Sequence, residues 1–272
     1  MFELKSDHFD RARKVFAPLS SCTPLQAVLD GNSPGRVFVD DAANPAVGLI
    51  WTPWGYYYLA GEVDNDAFNH ALWARLSEEL IPASVAMGEC CPLLYPYPAS
   101  WEGKLDVILQ GRTPDKVYRR TFTFDPSAFA RHRGWRDRVP PDDRVIPVSE
   151  VLAMPGGDEI AEGIAVTWKS LEAFLEKGFG FCLLHAEEAA SFCYACFVGN
   201  GEAEINIRTQ EQFRGRGFAS LVASAMIEHS LSTGLTPSWE CWWDNESSDA
   251  LARKLGFVPR CDFPVYAWEE SE

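Results

Sequence analysis

The sequence predicts an α+β fold, in which helices pack on sheets whose strands mostly follow one another along the chain. Three observations indicate this class. Residues 203–209 alternate apolar and polar side chains, as a half-buried strand does. Phe218, Leu221, Val222 and Ala225 then recur at helical spacing. Strand-like segments occur in groups, with helical segments before and after them, through most of the 272 residues.

The first half of the chain shows a helix, three strands and a longer helix, in that order. The helix covers residues 25–29, and the strands cover 36–40, 46–51 and 55–59. Apolar residues at every fourth position from Phe68 to Leu80 mark the longer helix, which Asp64 or Asn65 would cap. We therefore expect a meander followed by a helix in this half.

The second half repeats this order with more elements. A helix at 167–175 precedes strands at 180–185, 191–198 and 203–209, a helix from 218 to 232 and an aromatic strand at 237–243. Between the halves, residues 131–143 combine four arginines with Pro140 and Pro141, which can stiffen and expose a connection. We interpret this segment as a solvated linker between domains at residues 1–140 and 141–272.

The segment Gln212–Ala219 joins a predicted strand to a predicted helix through a turn that contains two glycines. Gly215 and Gly217 tolerate unusual φ angles and let the backbone approach a ligand closely, so that successive N–H groups can converge on anionic oxygens. The helix that follows adds its positive N-terminal end. The spacing matches neither the P-loop nor the Rossmann glycine motif. The turn nevertheless indicates a cofactor that carries a diphosphate.

Arg214, Gly217 and Ala219 stand at the defining positions of Arg/Gln-x-x-Gly-x-Gly/Ala. This turn resembles the acyl-CoA loop of the GNAT N-acetyltransferase superfamily. Residues 245–257 are similar to the Asn-x-x-Ala/Ser…Leu-Gly-Phe helix that closes the same site in that superfamily. The order of elements extends the resemblance over roughly residues 147–272.

The resemblance implies a C-terminal GNAT fold with a central mixed, mostly antiparallel sheet flanked by helices. The N-terminal half repeats the meander and helix, but the connection between Leu59 and Phe68 has no Arg-x-x-Gly-x-Gly. We therefore expect a second GNAT-like domain that lacks the diphosphate loop. An unrelated α+β domain is the alternative.

Three segments most resemble the zwittermicin-resistance branch of the superfamily: residues 178–181, 204–209 and 239–241. The resemblance implies transfer of an acetyl group from acetyl-CoA to a primary amine of a small polar or cationic molecule, such as an aminopolyol or an aminoglycoside-like antibiotic. The alternative is a non-catalytic module that binds acyl-CoA and regulates another protein.

The resemblance also assigns residues to acetyl-CoA. Backbone groups of Ile207 and Thr209 would line the pantetheine. The diphosphate would be bound by the loop residues Arg214, Gly215, Arg216, Gly217, Phe218 and Ala219. Asn245 would hydrogen-bond the pantetheine amide, or it would cap the helix that follows, a role that Asn also fills well.

Glu204 is the first candidate for the base that deprotonates the amine, because many GNAT enzymes carry a glutamate near this point of the fourth strand. Glu202 and Glu240 remain alternatives, since a bulged strand shifts side chains between faces. A glutamate with an ordinary pKa of about 4.3 is a poor base for an ammonium unless burial raises it.

Ala252 departs from the family pattern, because many members carry a tyrosine there that protonates the leaving thiolate. A thiol pKa of about 8.5 lets the thiolate leave with only water to protonate it. Ser247, Ser248 or Tyr266 would be substitutes for the missing acid.

Composition limits the classes of partner. The formal net charge of −15 disfavours nucleic acid, whose phosphates would be repelled, and it suits a cationic substrate. No apolar run approaches the roughly 18 residues of a membrane-spanning helix, and the polar first residues do not resemble a signal peptide. We therefore expect a cytoplasmic protein with no membrane partner, and the sequence indicates no oligomeric state.

The eight cysteines lie mostly in apolar segments, which predicts reduced core thiols. Cys193 and Cys196 form a Cys-x-x-Cys pair, but on a strand they would point to opposite faces, and no second pair has ligand spacing. His185 and His229 are interpreted as packed or surface residues. No metal site is therefore expected.

Overall fold

The computed structural model describes residues 1–88, 91–154 and 157–270. The chain forms two compact units. Unit 1 comprises Met1–Tyr118 and the chain from Pro264 onward, and unit 2 comprises Arg119–Phe263. Two strands, β6 (Asp115–Phe124) and β13 (Phe257–Ala267), carry the chain from one unit into the other.

Unit 1 contains a sheet in which β1 to β5 follow one another in order. The strands are β1 (Phe2–Leu4), β2 (Arg36–Val39), β3 (Val47–Trp51), β4 (Tyr56–Gly61) and β5 (Leu93–Tyr97). The first four pair antiparallel, whereas β4 and β5 pair parallel. The C-terminal end of β13 adds antiparallel to β5. This is the meander that the alternating segments of the first half predict.

The helices of unit 1 supply the apolar face that the sheet needs. They are α1 (Arg13–Phe16), α2 (Thr23–Leu29), α3 (Asp66–Arg75), α4 (Ile81–Ala86) and α5 (Leu105–Ile108). A π-helical segment, Leu76–Leu80, connects α3 to α4. Asn65 caps α3 by accepting a hydrogen bond from the backbone N–H of Phe68 at 3.0 Å. The residues at every fourth position from Phe68 to Leu80 are buried in the core of this unit, as their spacing predicts.

Unit 2 contains a five-stranded sheet in the order β11-β10-β9-β8-β7. These strands are β7 (Asp143–Pro147), β8 (Gly180–His185), β9 (Glu188–Gly199), β10 (Glu202–Thr209) and β11 (Thr236–Ser238). All neighbours pair antiparallel except β10 and β11. The short strand β12 (Glu240–Trp242) pairs instead with β6. The predicted mixed, mostly antiparallel sheet is therefore confirmed.

Helices cover both faces of this sheet. They are α6 (Pro126–Phe129), α7 (Val148–Val151), α8 (Asp158–Thr167), α9 (Leu171–Lys177), α10 (Phe218–Ser232) and α11 (Glu246–Lys254). Apolar residues of α10 form one core with Ala203 and Ile205 of β10. On the other face, the indole of Trp168 donates to the Ala195 carbonyl at 2.9 Å and lies against Phe174 of α9. These two layers define the α+β architecture.

Residues 131–143 are mostly exposed, as expected of a solvated segment, but they do not connect the two compact units, because both ends of the segment lie in unit 2. Trp135 is 5% exposed and packs in the core of unit 2. Its indole N–H donates to Glu228 of α10 at 3.0 Å. The prolines and arginines of this segment are exposed, whereas one buried aromatic anchors the segment to the neighbouring helix. The compact units divide after Tyr118 and after Phe263. The division into domains at residues 1–140 and 141–272 stays a prediction.

Candidate active site

Strand β10 loses its neighbour on one side half-way along its length. It pairs with β11 only from Glu202 to Glu204, and the last of these residues lies opposite Ser238. After Trp239 the chain turns to β12, which pairs with β6. Within the described residues, the edge of β10 from 205 to 209 therefore has no partner strand. Such an edge presents backbone N–H and C=O groups to a ligand.

The loop after β10 has the backbone conformation that its glycines predict. Gly215 has φ +77° and Gly217 has φ +81°, both in the left-handed region. A Cβ added at either position would meet no heavy atom within 4 Å, so the loop faces open space. Gly217 is also the residue immediately before α10. The unpaired N–H groups at the start of α10 therefore adjoin the loop.

The open edge and the loop border one pocket of about 620 Å³. Its lining includes eight of the nine residues predicted to bind the cosubstrate: Ile207, Thr209, Arg214, Gly215, Gly217, Phe218, Ala219 and Asn245. The other lining residues are Arg208, Phe213, Ser220, Ser247, Ser248 and Leu251. Arg216 and Glu204 are not among them. The structure thus gathers residues from a strand, a loop and two helices around a cavity with a cationic, N–H-rich end.

Asn245 is the N-cap of α11. Its side-chain oxygen accepts hydrogen bonds from the backbone N–H of Ser248 at 3.1 Å and from the Ser247 hydroxyl at 2.9 Å. The capping alternative is therefore present in the structure. Asn245 also lines the pocket. The hydrogen bond from its side chain to the pantetheine amide stays a prediction.

Ala252 does not face the pocket. It is fully buried in the core of unit 2, together with Trp239, Leu255 and Phe257. Of the three substitutes for the missing acid, Ser247 and Ser248 line the pocket. Tyr266 belongs to unit 1, where it is buried in the core of that unit.

Glu204 lies on the face of β10 opposite α10, because its neighbours Ala203 and Ile205 both point into the α10 core. The pairing with β9 shifts register beside it: Glu204 lies opposite Phe197, and Ile205 lies opposite Ala195. The extra residue of this bulge therefore belongs to β9, and the alternation along β10 is undisturbed.

Burial raises the pKa of Glu204 well above its usual range. The nearby carboxylates of Glu240 and Glu202 raise this pKa further, whereas the Arg119 guanidinium lowers it. The Arg119 Nε atom donates to Glu240 at 2.7 Å, and both side chains are 11% exposed. The ion pair holds Glu240 beside Arg119, and the choice of base among Glu202, Glu204 and Glu240 stays a prediction.

Two residues beside the loop, Lys254 and His185, are not among those that the sequence predicts to bind the cosubstrate. The Lys254 ammonium donates to the Ser220 hydroxyl at 2.9 Å, which places a cation against the first turn of α10. His185, interpreted as a packed or surface residue, accepts a hydrogen bond from Arg216 at 3.3 Å. Lys254 follows Leu251 by three residues on one helix, so its place near the site could have been inferred from helical spacing.

Across the ranges 1–88, 91–154 and 157–270, no three His, Cys, Asp or Glu side chains are grouped to hold a metal ion. The same ranges contain no helix that is both long and apolar enough to cross a membrane.

A profile of the GNAT acetyltransferase family matches residues 14–266. The chain belongs to this family, and it is therefore an acyltransferase. It is 30% identical over 271 residues to the uncharacterized N-acetyltransferase YdfB of Bacillus subtilis strain 168, and the match covers 97% of each chain.

Solved structures show the same fold. A GCN5-related N-acetyltransferase-like protein from Streptococcus suis 89/1591 superposes with a TM-score of 0.69 at 21% identity, over 97% of this chain and 99% of that one. A tandem GNAT protein from the clavulanic acid biosynthesis pathway superposes with a TM-score of 0.61 at 13% identity, over 99% and 98% of the two chains. The tandem arrangement agrees with a GNAT-like first half.

Proposed function

We propose that the protein transfers an acetyl group from acetyl-CoA to a primary amine of a small polar or cationic molecule, by direct attack in a ternary complex. The observation that carries this proposal is the pocket on the open edge of β10. One end of this pocket is the glycine loop and the start of α10. Glu204, the candidate base, lies on the same strand.

Acetyl-CoA supplies an acetyl group as a thioester and carries anionic phosphates. The left-handed glycines Gly215 and Gly217 leave room for a diphosphate beside the N–H groups that begin α10. Arg214 lines this end, and Lys254 adds a second cation through its contact with the first turn of α10. The backbone of Ile207 and Thr209 on the open edge would bind the pantetheine arm.

The open edge of β10 also offers a donor for the developing charge. A carbonyl that is attacked by an amine gains negative charge on its oxygen, and a fixed backbone N–H stabilises that charge. The unpaired edge from 205 to 209 holds such N–H groups on a rigid strand. We assign this role to the backbone near Ile207.

Glu204 would take the proton that the attacking ammonium must lose. The nitrogen forms a bond to the acetyl carbon, the carbon–sulfur bond breaks, and the electron pair leaves with sulfur. A carboxylate whose pKa is raised by burial is a stronger base than an exposed one. The position of the family tyrosine is Ala252, so the thiolate would receive its proton from water or from Ser247 or Ser248, which line the pocket.

Two observations support a cationic acceptor. The chain carries a net charge of −15, and the carboxylates of Glu202 and Glu240 lie near enough to raise the pKa of Glu204 at the start of β10. Negative potential favours the approach of a cation. The resemblance to the zwittermicin-resistance branch narrows the proposal to an aminopolyol or aminoglycoside-like antibiotic.

The test is turnover with a library of amines. The protein is incubated with acetyl-CoA and each amine, free CoA is measured as released thiol, and products are identified by the added mass of one acetyl group. We expect CoA release that depends on a polar, cationic amine and is absent from Gly217→Glu. If calorimetry shows that acetyl-CoA binds but no amine is acetylated, the non-catalytic acyl-CoA-binding module replaces this proposal.

A further inference from the structure

A buried carboxylate, an imidazole and the loop arginine form a continuous series of contacts beside the pocket. Asp143 begins β7 and lies directly opposite His185, the last residue of β8. Asp143 Oδ1 is 2.6 Å from His185 Nδ1, and the Asp143 side chain is 1% exposed. On the other side of the ring, Arg216 Nη1 donates to His185 Nε2 at 3.3 Å.

The contacts determine which ring nitrogen carries the proton. A buried carboxylate is stabilised only when it is hydrogen-bonded or paired. The second carboxylate oxygen of Asp143 has no hydrogen-bond partner among the described residues. The hydrogen bond to Nδ1 is therefore the contact that stabilises the buried carboxylate. A neutral imidazole that donates from Nδ1 keeps a lone pair on Nε2. That lone pair accepts the Arg216 N–H.

Aromatic packing holds the imidazole and the arginine in place. The His185 ring lies 5.3 Å from the Phe213 ring at an interplanar angle of 67°, and 5.8 Å from the Phe218 ring. The Arg216 guanidinium lies over the same Phe213 ring at 5.5 Å. Arg216 is exposed and stands between two left-handed glycines. Without these contacts, its side chain would lose more rotamer entropy when it bound a ligand.

We propose that the Asp143–His185 pair positions Arg216 to bind a phosphate group of acetyl-CoA, an inference that rests on the proposed function. A guanidinium has five N–H donors, and the contact with His185 uses one of them. The remaining donors match phosphate oxygens. Asp143 and His185 are positioning residues that act through Arg216. Either the diphosphate or the ribose 3′-phosphate has the required chemistry.

The test is calorimetry of CoA with the full chain and four variants. Arg216→Gln removes the cation, and we expect about tenfold weaker binding, as for the loss of a hydrogen bond to a charged group. His185→Phe keeps the ring packing but removes both nitrogens, so it should weaken binding several-fold. His185→Gln returns a carbonyl oxygen near the position of Nε2 and should recover part of the affinity. The double variant His185→Phe/Arg216→Gln should bind no more weakly than Arg216→Gln.

Two controls separate positioning from other effects. Arg144→Gln removes the same charge from β7, at a side chain that pairs with Glu187, and it should leave CoA affinity unchanged. Dephospho-CoA identifies the phosphate: the difference between the unmodified protein and Arg216→Gln disappears if Arg216 binds the 3′-phosphate, and it persists if Arg216 binds the diphosphate. Thermal melting shows that each variant is folded.

Additive losses in the double variant, or unchanged affinity in folded His185→Phe, would overturn the positioning role. The proposed function fails separately. If the unmodified protein binds no CoA, both proposals are wrong. If it binds CoA and Gly217→Glu does not, but His185→Phe binds as tightly as the unmodified protein, only the inference on His185 is wrong.

Discussion

Glu204 combines a position on β10 with an unusual electrostatic environment. Glu204→Gln keeps the shape of the side chain and removes its basicity. We expect turnover to fall about 10²–10⁴-fold, the usual range for general acid–base help, with little change in acetyl-CoA affinity. Steady-state kinetics with the best amine, together with calorimetry, measures both quantities.

Glu202→Gln is the matched control for this experiment, because it makes the same chemical change two residues earlier on the same strand. It should retain most of the turnover. A larger loss in Glu202→Gln than in Glu204→Gln would assign the base to Glu202.

The raised pKa of Glu204 also predicts a dependence of stability on pH. A carboxyl group whose pKa is higher in the folded than in the unfolded state binds more protons when folded. Its contribution to the free energy of unfolding is fully present below the unfolded pKa and is lost as the pH rises through the folded pKa. Glu204→Gln has no carboxyl group to titrate at this position. The free energy of unfolding of the variant, minus that of the unmodified protein, should therefore increase with pH.

Urea unfolding at a series of pH values from about 4 to 8 tests this prediction, since the range begins near the ordinary glutamate pKa. Glu202→Gln is again the control. A stability difference that stays constant across the range would contradict the raised pKa of Glu204.

Gly217 is the position that tests the proposed phosphate site most directly. Gly217→Glu adds a negative charge to the proposed phosphate site, and calorimetry should detect no acetyl-CoA binding. Gly217→Gln adds a side chain of the same length and the same backbone strain at φ +81°, but no charge. It should bind weakly but measurably. Equal affinities of both folded variants and the unmodified protein would place the diphosphate elsewhere.

At the scale of the element, α11 has one face in the core and another toward the pocket. Ala252 is on the core face, whereas Leu251 and the capping residue Asn245 line the pocket. Residues one position apart on a helix point in different directions. The family tyrosine position therefore lies in the packed core of this chain, where a phenol would crowd its neighbours.

Ala252→Tyr should destabilise the protein by about 1–3 kcal/mol, the range for overpacking, without raising the rate of acetyl transfer. Ala250→Tyr makes the same change at an exposed position of the same helix and should alter stability by less than about 0.5 kcal/mol. Denaturant unfolding and initial rates measure these effects. A higher kcat in Ala252→Tyr would show that the phenol does reach the thiolate.

At the scale of the whole molecule, the described cysteines are all free thiols. Burial raises the pKa of Cys182 to about 12, and it also raises the pKa values of Cys193, Cys196 and Cys241. Cys91 and Cys261 are exposed. Cys90 lies outside the described residues.

Because thiolate is the reactive form, iodoacetamide at about pH 8 should label Cys91 and Cys261 in the folded protein and leave the four buried thiols unmodified. All cysteines should react in urea. Peptide mass spectrometry reports each site. Rapid labelling of Cys193 or Cys196 without denaturant would contradict the packing of the β9 core.

Local sequence patterns are sufficient to predict several elements of this protein. Alternation over 203–209 predicted β10, the glycine pair predicted the left-handed loop, and helical spacing predicted α10. These features depend on neighbours within a few residues, so the sequence contains the information directly. For the same reason, Asn65 and Asn245 could be identified as possible caps.

Tertiary structure alone decided the rest, because those features join residues that are far apart in the chain. Trp135 reaches Glu228 and anchors the exposed proline- and arginine-rich stretch to α10. Asp143, His185 and Arg216 meet only because β7 pairs with β8 and the loop folds over their end. The sequence determined the loop and its candidate ligand by itself. Strand pairing and burial determined the raised pKa of Glu204, the core position of Ala252 and the contacts of Arg216, since these depend on distances that no local pattern encodes.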